Sequence, residues 1–298
     1  MTLSELKFIV AVAREKNFRK AADKCFVSQP ALSLAIKKLE EELDLVIFER
    51  SRTDVTVTNA GQSIVNQAIV VLDEAAKIKE LAKLGDSHLS QPFKLGLIYS
   101  IAPYLLPLII PQLRQSAPDM PLEIEENITN NLQDKLKKGN IDAAVIALPF
   151  EVPGIETIEL YDEEFVAVVP NNHAWSNKKR ISSKELSNEK VLLLDNTHCF
   201  STQVQEACPG LSKKSEIQVG NSLETIRNMV ASNLGISVLP KSAVALKHHN
   251  PLVNVIPFEK PVPFRRVALA FRKSSVKKDA IDQIAQVIKG VDLETFNP

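Results

Sequence analysis

Two of the chain's three cysteines, Cys199 and Cys208, lie in one short stretch, HCFSTQVQEAC, which begins at His198. A thiol offers three kinds of chemistry: nucleophilic attack, oxidation and pairing with a second thiol. The apolar periodicity of this stretch reads as a helix. On a helix, residues nine positions apart stand about 13 Å apart along the axis. A disulfide needs Cα atoms about 4.4–6.8 Å apart. The two sulfurs therefore bond only if the helix unwinds, and the spacing suits a switch. Pro209 and Gly210 follow at once, with Ser212, Lys213 and Lys214 beyond, so the far end is free to move. Closing so small a loop is worth roughly 2.5 kcal/mol in the chain-entropy model. Cys199 stands at the start of the helix beside His198, where a helix terminus and a cation both favour an anion. The competing reading is two unrelated buried thiols. Cys25 falls on the apolar face of another helix and reads as core, while His173, His248 and His249 read as surface residues.

The bulk properties limit what such a pair can serve. The 298 residues allow two or three domains, and Lys plus Arg balance Asp plus Glu at 36 each, so any basic surface must be local. The N-terminus mixes acid and base into its apolar run, unlike a signal peptide. No apolar stretch approaches the roughly 20 residues that span a bilayer. No Cys/His cluster has zinc spacing, and neither a metal nor a cofactor is expected. The expectation is a soluble, cytoplasmic protein without a membrane partner.

Residues 1–58 read as a compact helical block. Leu6, Ile9, Val10 and Ala13 mark one helix, Ala21, Ala22 and Cys25 a second. Ser28 caps a third, with Pro30 in its first turn, where a missing N–H costs nothing. Leu32, Ile36, Leu39 and Leu43 bury one face of that third helix and leave Ser28, Gln29, Ser33 and Lys37 on another, suited to a DNA major groove. VIFERSRTDVTV then reads as a wing: a strand at Val46–Phe48, a polar turn carrying Arg50 and Arg52, and a return strand at Val55 and Val57. Arginines so placed suit phosphate or minor-groove contact.

A long helix from Ala60 to about Leu84 follows. Ile64, Ala68, Val71, Ala75, Ile78 and Ala82 repeat at steps of 4 and 3, a heptad seam that predicts a dimer. GDSHLSQPF breaks the pattern as a hinge, so 59–87 is read as linker. From Phe93 strands and helices alternate, which predicts α/β structure around a mainly parallel sheet. Asn221 with Glu224 reads as a capping box for a helix over 222–233. The late return of strands predicts two lobes joined by crossovers near Tyr161 and Arg266: lobe I at 92–162 and 267–298, lobe II at 163–266, together a domain of 88–298. Ligands in such sheets bind at the carboxyl ends of strands, between the lobes.

With these residues assembled, AADKCFVSQPALSLAIKKLEEELDLVIFER closely resembles the signature of the LysR-type transcriptional regulators. Similarity continues through LGLIYSIAPYLLPLIIPQL, HCFSTQVQEAC, SLETIRNMVASNLGISVLP and PFRRVALAFR, and is closest to the family's peroxide-sensing branch. The resemblance implies a winged helix-turn-helix, a linker helix and a two-lobed regulatory domain like periplasmic binding proteins. It implies dimers pairing into a homotetramer, double-stranded promoter DNA as partner, and RNA polymerase as a further one. It also implies hydrogen peroxide as the signal, Cys199 as the reactive thiol and Cys208 as its disulfide partner. Ser100, His198 and Arg266 stand at the matching pocket positions, and Gln218 at a fourth, where relatives often carry His. Ser100 replaces the usual Thr and keeps its hydroxyl.

Two other functions compete with this reading. A regulator answering to a small metabolite between the lobes would need neither Cys199 nor Cys208. A thiol peroxidase would use both, but turnover needs no DNA-binding head, so no enzyme is expected.

Overall fold

The computed structural model describes residues 1–50, 55–81, 91–208, 211, 217–245 and 250–292. They fall into two compact units, divided after Gly85.

The first unit opens with α1 (Leu3–Glu15), started by a capping box in which Thr2 and Glu5 satisfy each other's backbone N–H. α2 (Phe18–Lys24) and α3 (Gln29–Leu43) complete a trihelical core around Ile9, Ala21, Leu32, Ile36 and Leu39, each fully buried. Cys25 caps the end of α2, half-buried against this core. The wing pairs β1 (Phe48–Arg50) with β2 (Val55–Val57). β1 thus begins two residues later than the expected Val46. The Glu40 carboxylate accepts the N–H groups of Ile47 and Phe48 at 2.7 and 3.0 Å, and the Thr58 hydroxyl donates to the Val46 carbonyl, so those groups are bonded outside the ladder.

α4 (Asn59–Leu81) leaves the wing at Gly61, where a Cβ would stand 2.4 Å from the Ile47 carbonyl oxygen. α1 lies along the first half of α4, and Val65 and Ala68 are buried in the head's own core. The expected seam is therefore divided. Ala68 is covered by its own chain and Ile64 is half-buried, whereas Val71 and Ile78 are 36 % and 68 % exposed. Ala82 and most of the expected hinge lie outside the described residues.

The second unit contains β3 (Phe93–Ile98), α5 (Ala102–Ser116), β4 (Leu122–Asn127), α6 (Thr129–Lys138) and β5 (Ala143–Ala147), followed by the 16-residue strand β6 (Ile155–Pro170). Then come β7 (Val191–Leu194), α7 (Cys199–Ala207), β8 (Ile217–Gly220), α8 (Leu223–Ala231), β9 (Ile236–Pro240), β10 (Val253–Pro257), β11 (Phe264–Arg272) and α9 (Lys278–Gly290). The strand order is β4-β3-β5-β11-β6-β9-β7-β8, with β10 also on β6.

Apolar residues collect in two cores. One centres on β3, β5, β11, α5 and α9, the other on the far half of β6 with β7, β9 and α8. β6 serves both lobes: its first part pairs with β11, and from Phe165 onward it pairs with β9 and β10. The sheet is mixed, which corrects the expectation of a mainly parallel one. β3 and β7 make parallel pairs, but every pair involving β6 or β11 is antiparallel, because these strands carry the chain between lobes.

Two smaller expectations also change. Ser222, not Asn221, caps α8, its hydroxyl accepting from the Thr225 N–H at 3.0 Å. His173 is half-buried and not fully exposed: its ring abuts Trp175 and lies 3.3 Å from Glu189. His248 and His249 are outside the described residues. Among the described residues, no helix is long and apolar enough to cross a membrane, and no His/Cys/Asp/Glu group could hold a metal ion.

Candidate functional site: two thiols on one helix

α7 follows the carboxyl end of β7, and Ser100 follows the carboxyl end of β3, the positions where open sheets hold ligands. α7 starts at Cys199 with His198 as its N-cap and ends at Cys208. Its stripe at steps of four, Phe200, Val204 and Cys208, is fully buried in the second core. Cys199 is half-buried against the first core instead. Nine residues turn a helix through about 180° beyond whole turns. The two free thiols thus occupy opposite sides and opposite ends of one helix, each against a different lobe.

Burial treats the two thiols differently. Cys208 is 0 % exposed, and desolvation pushes its pKa up to about 12, so it is a neutral thiol at neutral pH. Cys199 keeps partial access to solvent at a helix start that has no side-chain cap. Helix N-termini carry partial positive charge. His198, whose ring meets Tyr99 edge-on at 5.8 Å, has its pKa lowered by burial despite the nearby Asp195. It is neutral near pH 7 and supplies no cation.

The cation is Arg265. Its side chain is fully buried, with Nη1 donating to Ser100 Oγ at 2.7 Å and Nη2 to the Ser100 carbonyl at 2.9 Å. Nε donates to Glu163 at 2.7 Å, and the other Glu163 oxygen accepts the Ser242 N–H at 3.2 Å. The guanidinium also lies 5.2 Å from the Phe200 ring centroid, next along the chain from Cys199.

Arg266, the residue expected in the pocket, turns to the opposite side. It is 42 % exposed and donates to Asp162 at 2.7 and 3.0 Å, with Glu159 at 3.2 Å, and it holds the Asp162 carboxyl below the usual carboxylate range. It lines an open cleft of about 710 Å³ that also touches Gln203 and Glu206 of α7. Alternation along the strand does not separate the two arginines, because Val267 and Ala268, the next residues on their respective faces, are both wholly buried. Ser100 and His198 are thus brought to the start of α7, and Arg266 is not. Gln218 sits on β8 opposite Leu192, and its side chain is outside the described part of the structure.

In the head, Ser28 caps α3, its hydroxyl accepting from the Ala31 N–H at 3.4 Å, and Pro30 stands in the first turn. Gln29 donates to Ser33 Oγ at 2.9 Å, and Lys37 lies 3.6 Å from Glu41 on the exposed face. Arg50 ends β1 opposite Val55, while Arg52 lies outside the described residues. Two exposed apolar residues were missed by the reading of the polar face: Phe26 at 95 %, in a left-handed turn with φ 56°, and Leu34 at 69 %.

Two family models match the chain. Residues 3–62 match the family model of bacterial regulatory helix-turn-helix proteins of the lysR family, and residues 86–292 match the LysR substrate binding domain. A hydrogen peroxide-inducible genes activator of Dickeya chrysanthemi is 37 % identical over 291 residues, covering 97 % of this chain and 95 % of the relative. Full-length OxyR from Pseudomonas aeruginosa, in a variant form, superposes with a TM-score of 0.69 at 48 % identity, covering 99 % of this chain and 100 % of that one. An H2O2-bound OxyR mutant of Corynebacterium glutamicum superposes with a TM-score of 0.64 at 32 % identity, covering 97 % and 93 %. With a regulatory helix-turn-helix at one end, a substrate-binding domain over most of the remainder and full-length relatives of this similarity, the chain belongs to the LysR family of bacterial transcriptional regulators.

Proposed function

We propose that this chain is a cytoplasmic transcriptional regulator that senses hydrogen peroxide with Cys199 and fixes the response in a Cys199–Cys208 disulfide. The carrying observation is the placement of the thiols: one helix holds a half-buried Cys199 at its start, followed by Phe200, whose ring meets the Arg265 guanidinium, and a wholly buried Cys208 at its far end. The similar proteins, which include a hydrogen peroxide-inducible genes activator and an H2O2-bound OxyR mutant, support the same signal.

In the first step Cys199 sulfur, as thiolate, attacks one peroxide oxygen. The S–O bond forms, the O–O bond breaks, and the departing oxygen takes a proton and leaves as water. Sulfur has lost two electrons and is a sulfenic acid. Ser100 and Arg265 serve as the polar wall that orients the peroxide. In the second step α7 unwinds, Cys208 leaves the core, and its sulfur attacks that of Cys199. The S–S bond forms and a second water leaves with the sulfenic oxygen. Mass spectrometry before and after one equivalent of peroxide tests this: a linked peptide containing both cysteines is expected, and two unlinked, unmodified peptides would remove the proposal.

The division into a head at 1–58, a linker at 59–87 and a regulatory domain at 88–298 is part of this reading. Ser28, Gln29, Pro30, Ser33 and Lys37 face the DNA groove, and Arg50 and Arg52 contact phosphates. Changing both arginines to alanine is expected to weaken binding to all sequences alike and to lower the salt slope by about one per lost phosphate contact. Unchanged affinity and salt dependence would end the wing assignment.

Dimerisation is assigned to the part of α4 that its own head leaves open, Val71, Ala75 and Ile78, and two dimers then form the tetramer that engages promoter DNA and RNA polymerase. Placing lysine at both Val71 and Ile78 would force unpaired charge into that seam, at a cost of several kcal/mol. Light scattering is expected to show a smaller assembly. An unchanged mass would reject this face.

A further inference from the structure

Outside the thiol helix the molecule presents the cleft beside Arg266, the buried Arg265–Glu163 pair, the His173–Glu189 contact and several exposed apolar residues. α3 buries Leu32, Ile36 and Leu39, all 0 % exposed. At about 100° per residue, the direction opposite that stripe belongs to the residue two places from both Leu32 and Ile36. That residue is Leu34, 69 % exposed. Its surroundings on the helix, Pro30, Lys37 and Lys38, are exposed too. Single exposed leucines are ordinary on protein surfaces, so exposure alone decides nothing. The position decides. Leu34 stands about 60° around the helix from Lys37, next to the polar face of Gln29, Ser33 and Lys37 that the proposed function turns to the major groove, among groups that otherwise read hydrogen-bond donors and acceptors. Phe26, although more exposed, lies in the turn before α3 and not on this face.

A leucine offers no donor and no acceptor. The one apolar group that base edges present in the major groove is the C5 methyl of thymine. We propose that Leu34 is a specificity-determining residue, which selects thymine at one position of each half-site by packing on its methyl group. The proposal rests on the reading of this head as DNA-binding and adds a base preference to it. Because Leu34 makes no contribution to the head's core, it is free to set this preference without loss of fold.

The test uses the full chain and a duplex that the wild type enriches from a random pool. Each thymine is then replaced in turn by deoxyuridine, which lacks only the methyl. At one position per half-site the wild type is expected to lose about fourfold in affinity, the worth of about one buried methyl group. Leu34→Ala is expected to bind the thymine and deoxyuridine duplexes equally at that position, with an unchanged salt slope because no charge is removed. Wild-type affinity and wild-type thymine preference in Leu34→Ala would overturn the proposal. So would a loss spread evenly over all sequences, which would mark a structural role. Failure to enrich any duplex would overturn the DNA reading and this proposal together.

Discussion

Cys199→Ser is expected to abolish oxidation at low peroxide, because a serine hydroxyl is not ionised at neutral pH and no other described thiol is poised to replace it. Cys208 is wholly buried with a pKa near 12, and burial raises that of Cys25 as well. Cys208→Ser, in contrast, is expected to react once, with a sulfenic-acid trap labelling Cys199. With no second thiol to intercept it, that acid should pass to sulfinic acid as peroxide rises. Labelling of Cys208 in a Cys199→Ser protein would reverse the assigned roles. A fast response with neither cysteine modified would favour a bound metabolite as the signal.

The same geometry separates the two steps in time. Phe200 and Val204 must leave their core if α7 unwinds, and each loses about 1.5–3 kcal/mol of burial. The disulfide's loop-closure contribution of roughly 2.5 kcal/mol does not offset both. The oxidised fold must therefore rebury them elsewhere, and that rearrangement sets a rate of its own. Stopped-flow traces are expected to show two phases, of which the first alone scales with peroxide concentration. One phase, linear in peroxide throughout, would mean that no unwinding step separates attack from disulfide formation.

Much of this could be read from residue spacing, and the failures share a cause. The stripe Leu32, Ile36 and Leu39 announced α3, and the pattern of HCFSTQVQEAC announced a helix between the thiols. Both are local, since a helix's buried face is written in its own 3.6-residue period. What could not be read depends on partners distant in sequence. Ala68 looked like part of a dimer seam because nothing within α4 reveals that α1 covers it. β1 starts late because Glu40, on α3, takes the N–H groups that a ladder would have used. The crossover expected near Tyr161 lies within one continuous strand, β6, whose change of partner near Phe165 is set by strands distant in sequence. Arg265 and Arg266 are adjacent in sequence and face opposite sides of a sheet, so likeness of motif could not choose between them.

That choice gives the second large effect. Arg265→Met is expected to leave the Glu163 carboxylate buried with the Ser242 N–H as its remaining partner among the bonds described above, and to strip Ser100 of the donor that fixes its hydroxyl. Removing one partner of a buried ion pair typically costs about 3–5 kcal/mol, a large share of the roughly 5–15 kcal/mol that holds a domain folded. The loss should appear as an earlier denaturation midpoint and as slower oxidation of Cys199. Arg265→Lys guards against simple unfolding: it keeps the charge but not the fork that reaches Glu163 and Ser100 together. It is expected to remain folded and still react slowly. Arg266→Met is the control from the neighbouring position. Its pairs with Asp162 and Glu159 are exposed, and exposed pairs contribute little, so neither stability nor oxidation rate should change appreciably. If instead Arg266→Met slows Cys199 oxidation while both Arg265 variants react at the wild-type rate, the peroxide site lies on the Asp162 side of β11, and the pocket built here around Ser100 is wrong.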